Sequence, residues 1–444
     1  MKAMPSNDAA STGRLSRWYR SSLVGNPDGR DFRRLWAGET ISQLGGQIGV
    51  IALPLLAVTV LAADEFQMGL LTTFETLAFL LIGLPAGAWV DRMRKRSVLI
   101  IGNLVRGTAL LALPISYAFD LLNFPLLLTV AGVVGVATVF FDVAYQSYLP
   151  DLVPSARISE GNAKLQVSQS AAQVIGPGVG GLLVRAIGAP LVILFDAVSY
   201  YGSAIFCLLI RHREEPTPKA NRRSLWVEVG EGLSFVVHQP LLRRIVATTG
   251  LGNLFNTVVQ AMLVLYVIRE LGLGEAGLGL VLSIGAAGGL IGAVSAETFI
   301  RVVGEGRSIV LSILTTAPAT ALVPLAAGHS PTTAIVMLSG SMIIFGFGVV
   351  IYNVAQVSFR QRLCPRPLLG RMNASVRFIV WGTMPIGAFL GGVIGAQFGV
   401  LTALWVAVVG EAFAVLPVLL SPLRRMRHLP RAMDQHADPP PSKH

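Results

Sequence analysis

The sequence predicts an all-α membrane protein: twelve transmembrane helices arranged as two six-helix pseudo-repeats. Three observations predict it. The 444-residue chain is 53% hydrophobic and only 13% charged, with a mean hydropathy of +0.65. Its basic residues are confined to alternate breaks between apolar runs, and a constant offset of 210 or 211 residues relates features of the first half to the second.

A bilayer core needs about 20 apolar residues per spanning helix. Runs of that length read at 34–61, 67–90, 96–117, 124–148, 165–185, 190–210, 243–268, 275–300, 307–327, 332–359, 374–397 and 401–422. They divide the chain into an N-terminal segment 1–33, a first six-helix half 34–210, a linker 211–242, a second half 243–422 and a tail 423–444. The first thirty residues have basic residues but no apolar core with a small-residue cleavage site, so no cleavable signal is expected. With both termini placed in the cytoplasm, 32 Lys/Arg fall inside, 2 (Arg185 and Arg269) fall outside, and Arg106 lies within a helix. Basic residues near helix ends resist translocation, so this bias sets the orientation and an inner (plasma) membrane location. The linker begins Pro-rich and charged, and Leu225 to Val237 has the pattern of an amphipathic helix lying on the inner face or serving as an ordered spacer.

The repeat is legible in particular residues. PheArgArg at 32–34 recurs as LeuArgArg at 242–244, Gln146 as Gln356, Pro154 as Pro365, Asn162 as Asn373, and the pair Gly180 and Gly181 as Gly391 and Gly392. One chance match is unremarkable, but a single offset across many helices means two halves of one design.

Composition also excludes functions. The net charge of +11 is explained by topology, and no groove-reading motif accompanies it, so nucleic acid is not an expected partner. All six histidines lie in loops or tails, which leaves no intramembrane histidine for a metal site. No Gly-Lys-Ser/Thr phosphate loop is present. GLGEAG at 272–277 has dinucleotide-motif spacing but sits in a short connection without a preceding strand. Cys207 and Cys364 read as small filler side chains. An enzyme is therefore not expected, nor a cofactor or metal.

A polar group in hydrocarbon is costly without a partner or water, so polar stripes mark the protein interior. Segment 1 carries Glu39, Ser42, Gln43, Gly46 and Gln47, and segment 7 carries Asn253, Asn256, Thr257 and Gln260 at matching helical spacing. Segment 4 has Asp142, Tyr145 and Gln146, and segment 10 has Tyr352, Asn353 and Gln356, with Phe140, Phe141, Phe345 and Phe347 close by. Gln43, Gln47, Asp142, Tyr145, Asn253, Thr257, Gln260, Tyr352 and Gln356 are the expected substrate-binding set. The competing reading is interhelical hydrogen bonding without ligand contact.

Five stretches carry a family resemblance. GAWVDRMRKRSVLI, residues 87–100, resembles the signature loop of the major facilitator superfamily, with Gly87, Asp91, Arg92, Lys95 and Arg96 in matching places and Arg94 where many members have Gly. AAQVIGPGVGG in segment 5 places Gly176, Pro177, Gly180 and Gly181 on the Gly-Pro motif that marks drug and proton antiporters of that family, with Ala172 where the first Gly is usual. FRRLWAGETISQLG, YLPDLVP and GRMNA look like the branch containing enterobactin exporters and macrolide efflux proteins, near which lysophospholipid transporters also lie. The resemblance implies a cavity between the halves, lined mainly by segments 1, 4, 7 and 10, that opens alternately to each side. It also implies a gating role for Gly87, Asp91, Arg92, Arg96 and the segment 5 motif, with Asp91 meeting segment 11 across the halves.

The remaining intramembrane charges are Glu75, Arg106, Asp196, Arg377 and Glu411. Arg106 and Asp142 lie on neighbouring segments and are expected to pair. Asp196 and Glu411 lie on segments that the resemblance places at the periphery, which favours structural pairing. Glu75 has no cationic partner in the sequence; a buried carboxylate of that kind tends to hold a proton, with Thr72 and Thr76 expected as hydrogen-bond partners. Asp142, Glu75 and Arg106 are therefore the expected proton-coupling residues. The expected function is proton-coupled export of a hydrophobic or amphipathic small molecule, such as a drug, a macrolide-like metabolite or a siderophore. Uptake by symport, lysolipid movement and a non-transport membrane sensor are the alternatives. The expected partners are a small-molecule substrate, protons and the lipid bilayer, with a monomeric unit.

Overall fold

The structure, a computed structural model, describes residues 29–90, 92–154, 157–212, 214, 225–365 and 368–427. Each of the twelve expected spans is a helix: α1 Arg30–Val60, α2 Glu65–Val90, α3 Lys95–Ala118, α4 Phe124–Leu152, α5 Ile158–Ile187, α6 Ala189–Leu209, α7 Pro240–Glu270, α8 Gly274–Val303, α9 Glu305–Leu325, α10 Pro331–Leu363, α11 Leu369–Phe398 and α12 Val400–Leu419. All twelve are long and apolar enough to cross a membrane. The largest departure from the sequence reading is α5, which begins seven residues before the apolar run at 165. Hydropathy marks where hydrocarbon ends, whereas backbone hydrogen bonding continues through the polar turns ISEGNAK.

The pseudo-repeat extends to backbone detail. Both α1 and α7 finish in a single π-helical turn, Leu56–Val60 and Tyr266–Glu270. Both α4 and α10 begin on a capping side chain, Asn123 and Ser330, followed directly by Pro or by Phe-Pro. The α5–α6 and α11–α12 corners each turn on one glycine, Gly188 at φ 85° and Gly399 at φ 86°, a conformation that side chains with a Cβ rarely adopt. Lys95 pairs with Asp151 at 2.7 Å, and its repeat mate Glu305 pairs with Arg362 at 2.6 Å with the charges exchanged.

The described ends at residues 29 and 427 and the 92–94 connection define one end of the bundle, and the 61–64, 271–273 and 399 connections define the far end. At the far end one apolar core runs through both halves, from Ile51, Leu55 and Leu71 to Val258, Tyr266 and Val281. Toward the terminal end it divides. Leu35, Leu99, Phe141 and Tyr148 pack within the first half, and Leu242, Ile309, Phe359 and Val418 pack within the second. The halves are thus joined at one end and separate at the other.

The linker forms a helix, Leu225–His238. It rests on α11, where a Cβ at Gly232 would meet the Arg371 carbonyl and Ser375 Oγ at 2.5 Å, and Glu231 pairs with Arg371. Earlier in the linker, both carboxylate oxygens of Glu214 accept from the Lys95 and Arg96 amides at 2.7 Å, satisfying two of the free donors at the start of α3.

Candidate functional site between the two halves

Four helices bring the halves together, in two equivalent crossings. A Cβ at Gly181 of α5 would meet Gly279 Cα of α8 at 3.0 Å, and one at Gly392 of α11 would meet Gly69 Cα of α2 at 2.9 Å. The glycine before each faces its own half: a Cβ at Gly180 would meet Ile48 O at 2.6 Å, and one at Gly391 would meet Val258 Cα at 3.2 Å. Gly176 sits as tightly against Gln47, and the Pro177 carbonyl lies over Gly279. The Gly178 amide donates to Ser283 Oγ at 2.7 Å across the interface. Small residues let the backbones approach where larger ones would hold them apart.

Beneath these crossings lies a cavity of about 500 Å³ lined from both halves. Its walls are mostly apolar, among them Val50, Pro54, Val259, Leu282, Met342 and Phe345. Gln47, Thr72, Glu75, Gln173, Asn256, Gln260, Thr320 and Ser341 supply its polar groups. An apolar chamber with a few convergent polar groups suits an organic molecule of moderate size. One carboxylate and no Lys or Arg face it.

Below the cavity, Phe79 of α2 meets Trp381 of α11 edge to face at 4.8 Å between centroids. The Arg377 guanidinium covers the same indole at 4.4 Å and reaches 3.5 Å from Gln146 Oε1 of α4. Nearer the terminal end, Cβ positions at Gly83, Gly87 and Gly370 meet nothing within 4 Å.

The expected binding residues therefore separate into three groups. Gln47 and Gln260 line the central cavity, as do Pro177 and Glu75. Gln43 donates to Glu39 Oε1 at 2.7 Å, and Tyr145 stacks on Phe141 at 6.0 Å; with Asp142 they belong to a polar cluster inside the first half. Asn253 and Tyr352 line a small cavity inside the second half, where Tyr352 Oη and Thr249 Oγ1 are 2.7 Å apart. Thr257 is buried and donates back to the Asn253 carbonyl, and Gln356 is buried and donates to Asn353 Oδ1 at 3.3 Å; neither reaches the central cavity. Helical spacing places a side chain on a face, but it does not say whether that face looks across the interface or into its own half.

The first-half cluster centres on Arg106. Its guanidinium lies between the rings of Phe141 and Tyr200, 4.0 and 4.4 Å from their centroids, and donates to Asn103 Oδ1 at 2.5 Å. Glu39, Asp142 and Asp196 surround it electrostatically. Asp142 remains within the field of Arg106, but no ion pair closes between them among the described residues, and the cation lies against the rings of α4 and α6 instead. Asp142 also faces Arg377 of the other half. Glu75 differs from expectation in its partners. Thr76 donates to the Thr72 and Thr73 carbonyls, so the carboxylate faces the cavity without those hydroxyls.

Of the expected gating residues, Asp91 lies outside the described residues. Arg96 spans α3 and α6 within the first half, donating to the Cys207 carbonyl at 3.1 Å and to that of Leu208 at 2.7 Å. It closes the free carbonyls at the end of α6. Arg92 is exposed, with its amide bonded to the Trp89 carbonyl at 3.0 Å. Sequence reasoning passed over Gln173, which lies within the segment 5 motif and lines the cavity, and Ser283, which faces that motif from α8; an amide set among the glycines of the motif was a usable signal for the first. A larger recess of about 690 Å³ is lined by α2, α3 and α4 and by Met93 in the turn between α2 and α3. Its walls include exposed apolar residues such as Ile101 and Val136, which marks it as a lipid-facing groove.

Comparison with known proteins agrees with this architecture. The Major Facilitator Superfamily model matches residues 35–384. The chain is 23% identical to the "Multidrug efflux pump Tap" of Mycolicibacterium fortuitum, over 86% of this chain and 93% of that one. It is 24% identical to the "Enterobactin exporter EntS" of Salmonella choleraesuis (strain SC-B67), over 87% and 93%. Among solved structures, a bacterial homologue of the iron transporter ferroportin superposes with a TM-score of 0.72 at 18% identity, covering 88% of this chain and 98% of that one, a likeness of fold.

Proposed function

The chain belongs to the Major Facilitator Superfamily, and from that premise we propose that this multi-pass membrane transporter exports a hydrophobic or amphipathic small molecule by alternating access. The carrying observation is the cavity of about 500 Å³ between the halves, shut at the far end by the paired glycine crossings. The efflux pump and exporter among its relatives support the direction. With the termini in the cytoplasm, as the charge bias favours, the halves separate toward the cytoplasm and the cavity loads from inside. Substrate would sit against the apolar wall and be oriented by Gln47, Gln173, Asn256 and Gln260. A cavity with one carboxylate and no cation disfavours anionic cargo and suits neutral or positively charged compounds.

Energy comes, in this reading, from proton antiport through Glu75, which faces the cavity directly. Asp142, set between Arg106 in its own half and Arg377 in the other, would instead register whether the halves are together at that level. Purified protein in liposomes, loaded with a panel of fluorescent neutral and cationic amphiphiles, provides the test. Substrate counterflow together with pH-gradient-driven accumulation supports the proposal. Counterflow without any effect of the gradient would remove proton coupling, and no movement of any compound would remove export.

A further inference from the structure

A second cavity lies wholly inside the second half, between α7, α9, α10 and α12. It measures about 100 Å³, and its lining includes Thr248, Asn253, Asn256, Thr316, Asn353 and Glu411. Such a space in a membrane-embedded domain would ordinarily be filled by apolar side chains. Its wall is largely apolar, with Ile313, Phe345 and Val349, yet oxygen-bearing side chains from all four helices reach it, a single carboxylate among them and no Lys or Arg.

Two of these groups are buried with a polar atom unmet. Glu411 is 2% exposed; its Oε2 accepts from Thr320 Oγ1 at 2.8 Å, while its Oε1 has only the Asn256 amide beside it, without a hydrogen bond of full geometry. Thr248 is fully buried and its Oγ1 has none either. Buried polar atoms are nearly always satisfied, and exceptions call for an explanation. Two such atoms around one small internal cavity call for the same one.

We propose that this cavity is a binding site for one monovalent metal cation, held by Glu411 with Thr248, Thr316 and Asn253. The donor set is hard oxygen throughout, as alkali cations require. Thr316 Oγ1 donates to the Ile313 carbonyl at 2.8 Å, and Asn253 Nδ2 donates to the Val380 carbonyl at 3.1 Å, so each presents an oxygen lone pair elsewhere. A single carboxylate balances one positive charge. Divalent cations take six or more oxygens, commonly with several carboxylates, which this lining lacks. The volume admits a cation with a water or two at about 30 Å³ each.

The site adjoins the transport cavity. Asn256 and Phe345 line both spaces, and Asn256 stands beside Glu411 while its Oδ1 accepts from Gln260 at 2.7 Å. A cation at Glu411 would compete for the Asn256 carbonyl and release Gln260 toward cargo. Occupancy is thereby linked to substrate contacts without the ion entering the transport cavity.

The test is the thermal stability of the full-length purified protein in sodium, lithium, potassium or choline chloride at equal ionic strength. A bound ion raises Tm by linkage, and we expect one metal cation to give a saturable rise of about 2–4 °C over choline. Glu411→Gln should abolish it, Thr248→Val should weaken it, and Glu75→Gln, in the other cavity, should leave it intact. If Glu411→Gln does not fold, the Thr248→Val titration carries the decision. Equal Tm in all four salts, a response to pH alone, or a cation effect unchanged in both site variants would each overturn the proposal. None of these outcomes depends on whether the protein exports, so they are separable from the liposome result.

Discussion

Adding one methyl group at Gly69 tests whether the glycine crossings hold the far end shut. A Cβ there would lie 2.7 Å from Gly392 N and 2.8 Å from Ala388 O, both backbone atoms that no side-chain rotation can clear. Ordinary contact begins near 3.4 Å, so α2 and α11 must part by more than half an ångström. Overpacking of this kind costs about 1–3 kcal/mol, and the cost falls only on the arrangement in which the halves touch. At about 1.4 kcal/mol per factor of ten, the closed population falls about 5- to 140-fold relative to one open at the far end. The assay is a double electron–electron resonance distance between spin labels at Ala62→Cys and Phe398→Cys, with Cys207 and Cys364 replaced by serine. Gly69→Ala should populate longer distances, and its repeat counterpart Gly279→Ala should act in the same direction. Gly83→Ala on the same helix meets nothing within 4 Å and should behave as the parent. A distance distribution for Gly69→Ala that coincides with that of Gly83→Ala would refute the reasoning.

Four further outcomes are expected. Glu214→Ala removes two capping acceptors from α3 and should cost about 1 kcal/mol, read as a small fall in Tm that Glu214→Asp partly restores. Lys95→Ala should cost less than about 1 kcal/mol, because its pair with Asp151 is partly solvated, and exchanging the two charges should preserve transport, as the Glu305–Arg362 pair does in the other half; loss of fold in the exchanged protein would count against equivalence. Glu75→Gln should keep substrate counterflow and lose the pH-gradient dependence, and wild-type gradient dependence would eliminate Glu75 as the proton carrier. A single cysteine at His329 should react with an impermeant reagent from outside the cell, and reaction only from the cytoplasmic side would invert the topology.

The family resemblance and the twelve spans were legible because the bilayer imposes a one-dimensional rule: backbone polar groups must bond within the segment, so helices follow directly from apolar length. The repeat was legible for a related reason. Positions where backbones touch tolerate only glycine, and Gly181 and Gly392 therefore recur at one offset and meet the equivalent partners Gly279 and Gly69. The polar residues behaved otherwise. Gln43 and Gln47 are one helical turn apart, yet the first turns to Glu39 and the second to the central cavity. Arg106 was expected beside Asp142 and lies over the rings of Phe141 and Tyr200, while Glu411, expected at the periphery, faces a small internal cavity. Which side chain a charge meets depends on the rotation and crossing of helices distant in sequence. Those are decided by close packing across three or four helices at once, and periodicity along one helix carries no record of them.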